Sequence, residues 1–137
     1  MFEKYNIKEV LYDPWNAGEL INRIGELTDL VEVRQSLKEI SPLAKDWEAE
    51  VTAGNVADDN PVQAYFVSNC DIYTDPNGNI KPVKHGGKRA ENVHIDGVIT
   101  SLMACGRLHQ LAAAGEIDTR TAEQIQADAE AFYATFD

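Results

Sequence analysis

Asp13 and Asp96 are the residues whose placement points most directly to chemistry. Asp13 closes the apolar run Val10-Leu11-Tyr12 and precedes Pro14, which lacks an N–H for a strand ladder and disfavours helix in the residue before it. Asp13 is therefore expected extended at the carboxyl end of a strand, where open α/β sheets form their ligand sites. Asp96 stands in the first turn of an apolar-striped helix, where the macrodipole favours an acid by about 0.3–1 kcal/mol. Each acid thus has a structural explanation on its own. If folding brings the two together, their repulsion calls for a proton or cation between them, and Mg²⁺ or Mn²⁺ are the hard ions that take oxygen ligands. Gly97 leaves space beside such a site.

A second feature is cationic. Lys81, Lys84, Lys88 and Arg89, with His85, lie in an acid-free stretch of a chain whose net charge is −11. Residues 39–59 and 116–137 hold most of the opposing acids. The overall charge argues against a general phosphate-binding surface, so any DNA contact falls to this loop, which could equally be a solvated turn. His85 and His109 show no metal-ligand spacing with His94.

The elements that must position these residues follow from patterning. A strand over 5–15 leads into a helix capped by Asn16, with Leu20, Ile21, Ile24 and Leu27 at helical spacing and Gly25 in its interior. A second strand over Val31–Gln35 completes a βαβ unit, which implies a parallel pair. Ser41-Pro42 predicts a helix start, with Ala44, Trp47 and Val51 on one face. Asn60-Pro61 predicts another, with Val62, Tyr65, Phe66 and Asn69 together, followed by an extended segment from Cys70 to Thr74. Asp75-Pro76-Asn77-Gly78 predicts the turn of a hairpin whose second strand is Ile80–Val83. Residues 93–113 form the clearest helix, and Thr119 is a candidate cap for a last one carrying Ala122, Ile125, Ala129, Phe132 and Phe136.

Several of these segments together resemble the C-terminal nuclease domain of tailed-bacteriophage terminase large subunits. They are Tyr12-Asp13-Pro14-Trp15-Asn16-Ala17, Val33-Arg34-Gln35, Asn60-Pro61-Val62, Ser68-Asn69, Asn77-Gly78-Asn79-Ile80-Lys81-Pro82, Ile95-Asp96-Gly97 and Gly106-Arg107, in family order over about residues 5–108. The resemblance implies an α/β, RNase H-like fold with a partial mixed sheet, and a two-metal endonuclease cutting concatemeric double-stranded viral DNA. It places Asp13 as the second and Asp96 as the last aspartate of a Mg²⁺- or Mn²⁺-binding cluster. His94 falls where relatives often have lysine, a place from which it would position phosphate or shuttle a proton. The family's first aspartate and its ATPase motor precede the matched region, and the chain has no Gly-rich phosphate loop ending in Gly-Lys-Ser/Thr. A fragment or split-gene product is therefore expected, with weak metal binding and one open sheet edge. Glu9, Asp71 and Glu91 are candidates for a third acid.

The expected organisation is residues 1–113 as the C-terminal portion of the nuclease domain and 114–137 as an acidic amphipathic helical tail. The length of 137 residues suits one globular domain, and no apolar run approaches the ~18 residues of a membrane span. Cys70 and Cys105 read as reduced core thiols of a cytosolic protein, and the resemblance implies the cytoplasm of a bacterial host and a phage or prophage origin. A different class of function is a non-catalytic module that docks on the remaining terminase segment, the small terminase subunit or the portal. A phosphoacceptor receiver domain fits only the βαβ start.

Overall fold

The structure is a computed structural model that describes residues 2–15, 17–87, 91–118 and 120–135, and of Ala122 only the backbone. The chain divides into two compact units, residues 1–107 and 108–137.

The first unit opens with β1 (Glu9–Tyr12), α1 (Gly18–Ile24) and β2 (Asp29–Glu32). The strands pair in parallel, Glu9 opposite Asp29 through Tyr12 opposite Glu32, and the Val33 N–H donates to the Tyr12 carbonyl at 2.9 Å. The βαβ expectation holds, with three boundary corrections. β1 covers only Glu9–Tyr12 of the strand expected over 5–15. β2 begins earlier than the alternating Val31–Gln35 pattern suggests, because its length follows the four residues of β1 that it must pair. α1 starts behind Ala17, which makes no side-chain cap bond, and Gly25 is its C-cap rather than an interior residue. Asn16, the expected cap, lies outside the described residues.

α2 (Leu37–Thr52) is capped by Ser36, whose hydroxyl accepts the Glu39 N–H at 3.3 Å. Ser41-Pro42 is thus inside the helix and not its start. Pro42 sits on the exposed face, where the missing N–H and the ring are least obstructive, while the neighbouring Ile40, Leu43 and Ala44 are buried and offset the roughly 3 kcal/mol an interior proline costs. Ser41 is itself buried, and its Oγ accepts the Ile80 N–H at 3.0 Å, joining α2 to the hairpin.

α3 (Pro61–Ser68) has the expected Asn60 cap, which accepts the Val62 N–H, and proline in its first turn. The hairpin of β3 (Cys70–Thr74) and β4 (Ile80–Lys84) is antiparallel with Cys70 opposite Lys84. At its turn the Asp75 carboxylate accepts the Asn77 and Asn79 N–H groups and the Asn79 amide, which hold it below the usual carboxylate range. Gly78 takes a φ of 76°, the left-handed conformation the turn requires.

α4 (Asp96–Ala113) begins three residues later than the sequence pattern and puts Asp96 in its first turn as expected. Val98, Ile99, Leu102 and Met103 pack with Ile95 and with Ile40, Leu43 and Ala44 of α2 to make the core. Leu11, Val33, Trp47, Phe66, Cys70 and Ile80 close around it. Gly106 lies so close to the Leu43 side chain that a Cβ there would overlap it. Cys70 and Cys105 are half-buried thiols rather than core ones, and burial pushes both up from the ordinary thiol range.

In the second unit, α4 ends before Gly115 and α5 (Ala122–Ala134) follows. Thr121, not Thr119, caps α5 through a reciprocal pair of bonds with Gln124. Thr119 and Phe136 lie outside the described residues, as does the side chain of Ala122. Arg120 binds Asp118 and Asp128, each at 2.7 Å, and holds the Asp118 carboxyl down at about 2.

Candidate metal and nucleic-acid site

Asp13 follows the last residue of β1 and is half-buried. Pro14 offers no N–H, so the carboxylate turns to the next donor, and Asp13 Oδ1 accepts the Trp15 N–H at 3.0 Å. This fixes the turn that leaves the strand and holds Trp15 out in solvent, 83% exposed.

Asp96 opens α4 with its side chain 80% exposed, while the preceding Ile95 is buried in the core. The His94 Nδ1 lies 3.6 Å from Asp96 Oδ2. The structure therefore brings together one predicted pair, His94 and Asp96. The Thr100 hydroxyl donates back to the carbonyls of Asp96 and Gly97 at 3.0 and 3.2 Å, tightening the first turn.

The segment that carries Asp96 is held by α3. Tyr65 donates its hydroxyl to the Asn92 carbonyl at 3.1 Å, and the Asn69 amide donates to the His94 carbonyl at 3.4 Å. The Gln63 amide donates to the Gly97 carbonyl at 3.3 Å and to Ser101 Oγ at 3.1 Å. A Cβ at Gly97 would overlap Gln63 and the Phe66 ring, so the space beside Asp96 is filled by α3 rather than left open. The sequence pattern groups Tyr65 and Asn69 on one helix face and gives them no role at the site. Their polar ends carried the missed signal.

The three candidates for a third acid have separate surroundings. Glu9 begins β1, a strand's length from Asp13, and receives Arg107 through two bonds of 2.7 Å that hold its carboxyl below the usual range. Asp71 faces His85 Nδ1 at 3.0 and 3.1 Å. Glu91 is exposed. Among the described residues no group of three or more His, Cys, Asp and Glu side chains gathers that could hold a metal ion. The donors present are nonetheless of the right kind for one hard cation. Asp96 exposes its carboxylate, and Asp13 carries an oxygen donor of the same type just past the end of β1.

In the basic stretch, Lys81 is half-buried and its ammonium donates to the Gln35 carbonyl, tying β4 to the segment between β2 and α2. Lys84 is exposed at the end of β4. Lys88 and Arg89 lie outside the described residues.

Residues 1–111 match the sequence family described as the terminase large subunit, endonuclease domain. The chain belongs to that family. No curated protein matches it. Its fold is similar to that of the HK97 bacteriophage large terminase, with a TM-score of 0.64 and 22% identity over 77% of this chain. The match spans 22% of the length of that terminase. The fold likeness agrees with the mixed α/β architecture. Among the described residues no helix is long and apolar enough to cross a membrane.

Proposed function

We propose that this chain is the C-terminal portion of a metal-dependent, RNase H-like nuclease that cuts concatemeric double-stranded viral DNA during packaging. Residues 1–113 are the nuclease portion and residues 114–137 its tail. The observation that carries this reading is the family match over residues 1–111, which includes a strand-end acid, Asp13, and a helix-start acid, Asp96.

In this reading Asp13 and Asp96 would hold Mg²⁺ or Mn²⁺, and the ion would supply an activated water and charge neutralisation at the scissile phosphate. Asp96 offers its carboxylate from a helix start, and His94 beside it donates a hydrogen bond to a phosphate oxygen or passes a proton. Lys84, Lys88 and Arg89 neutralise the DNA backbone, joined by Lys81, whose ammonium keeps two donors beyond the one given to Gln35. The remaining terminase segment supplies further ligands. The small subunit and portal are partners in the assembly, which works in the cytoplasm of the bacterial host.

The test is nicking of supercoiled plasmid in Mn²⁺. The intact chain is expected to nick, and Asp13→Ala and Asp96→Ala to reduce the rate at least a hundredfold. Equal rates in all three would remove the assignment. The exposed Ile125, Phe132 and Tyr133 of α5 favour a second role as a docking element. No uptake of Mn²⁺, together with a partner-dependent change in size on gel filtration, would make that role the principal one.

A further inference from the structure

We propose that the free edge of β3 is a docking site for an extended, basic segment of a partner polypeptide, which adds to the hairpin as a further strand and sets apolar side chains into the groove beside α2. The inference goes beyond the nuclease reading and stands whether or not the chain cuts DNA.

The hairpin ladder fixes which backbone groups are in use. The His85 N–H donates to the Asn69 carbonyl at 2.8 Å, and the Asp75 N–H to the Asn79 carbonyl at 2.9 Å. Antiparallel partners alternate between bonded and non-bonded pairs, so Asp71 opposite Val83 and Tyr73 opposite Lys81 are the bonded pairs in between. Pro82, which has no N–H, falls at a non-bonded position, as this phase requires. Ile72 and Thr74 therefore point their N–H and C=O groups away from β4, and among the described residues β3 has no second neighbour. The two edges of the hairpin differ. On β4 the outward Ile80 N–H is taken by Ser41 and Pro82 offers none, which closes that edge. β3 has none of the lysines or prolines that commonly blunt an edge.

The open edge calls for a backbone, and the groove calls for side chains. Ile72 and Thr74 share a face with Ile80 and Pro82, and these four line a groove of about 440 Å³ together with Trp47 and Val51 of α2. Ile72 and Val51 are 55% and 50% exposed, so apolar area is left for a ligand to cover. A strand added at β3 presents every second side chain to this face, which is how sheet-edge sites combine main-chain affinity with side-chain selectivity. Among the described residues Glu48 is the charged one that lines the groove. With a net charge of −11, the chain repels a second copy of itself and attracts a segment carrying Lys or Arg.

The test titrates the peptide Lys-Val-Thr-Val-Thr-Val-Lys into the full chain and reads amide exchange residue by residue by NMR. In the free chain the Ile72 and Thr74 amides should exchange fast and those of Asp71 and Tyr73 slowly. Saturating peptide should slow Ile72 and Thr74 at least about fivefold and leave Asp71 and Tyr73 unchanged, an alternation that non-specific adsorption does not produce. Thr74→Pro removes an outward N–H without touching the ladder and should weaken binding about tenfold, with protection of Asp71 and Tyr73 retained as the check on folding. Glu48→Gln should weaken it about threefold, and less at high salt. Unslowed Ile72 and Thr74 at millimolar peptide overturn the proposal, as does equal affinity in Thr74→Pro. Slow exchange at both residues in the free chain, with a size that grows with concentration in sedimentation, gives the edge to a second copy and also overturns it. A chain that nicks no plasmid leaves every one of these readouts intact, so the nuclease reading and this one fail separately.

Discussion

Glu9 begins β1 and Asp13 follows its last residue, yet their surroundings differ. Glu9 meets Arg107 in a two-bond ion pair with both side chains largely shielded, an arrangement that contributes stability and leaves the carboxylate engaged. Asp13 accepts one backbone N–H, from Trp15. Glu9→Gln should lower unfolding free energy by roughly 1.5–3 kcal/mol, measured in urea. Because the folded-state value of Glu9 is depressed, its contribution is complete above its ordinary value of 4.5 and is lost as pH falls through the lowered one. The wild type should therefore lose stability more steeply than Glu9→Gln as pH drops below 4.5. The exposed pair of Asp71 and His85 was not legible in the sequence. Only the antiparallel register, with the His85 N–H on the Asn69 carbonyl, puts residues fourteen apart within reach.

At the scale of elements, local rules located α3, β3, β4 and α4 well, since Asn60-Pro61 and Asp75-Pro76-Asn77-Gly78 carry backbone requirements that few other conformations satisfy. They misplaced the start of α2. Ser41-Pro42 has the composition of a helix start, but burial of Ile40 and Ser41 draws the helix back to Ser36. The consequence is a hydroxyl inside the protein that receives the first N–H of β4. Ser41→Ala leaves that N–H without its partner and should cost roughly 1–3 kcal/mol, with faster amide exchange at Ile80. Ser41→Thr, which restores an acceptor at the expense of an added methyl, should recover part of the exchange protection. An unchanged Ile80 exchange rate in Ser41→Ala would show that this bond does not join α2 to the hairpin.

Across the whole molecule, a net charge of −11 sets how DNA can be held. With only four predicted cationic contacts, the logarithm of DNA affinity should fall with the logarithm of salt at a slope of about −4 or shallower. Lys84→Ala should reduce that slope by about one without changing sequence preference, as read by fluorescence anisotropy. A slope unaltered by Lys84→Ala would take β4 out of the DNA surface. The sequence by itself determined the element types, the strand-end and helix-start positions of Asp13 and Asp96, and the family. Those are properties of short segments, governed by periodicity, proline and glycine geometry and the chemistry of a few side chains. Tertiary structure decided that Glu9 is engaged by Arg107, that Lys81 bonds Gln35, and that α3 fastens the segment bearing Asp96. Those contacts join residues dozens of positions apart, and they depend on how α2, α3, the hairpin and α4 close around one core, which no local pattern encodes.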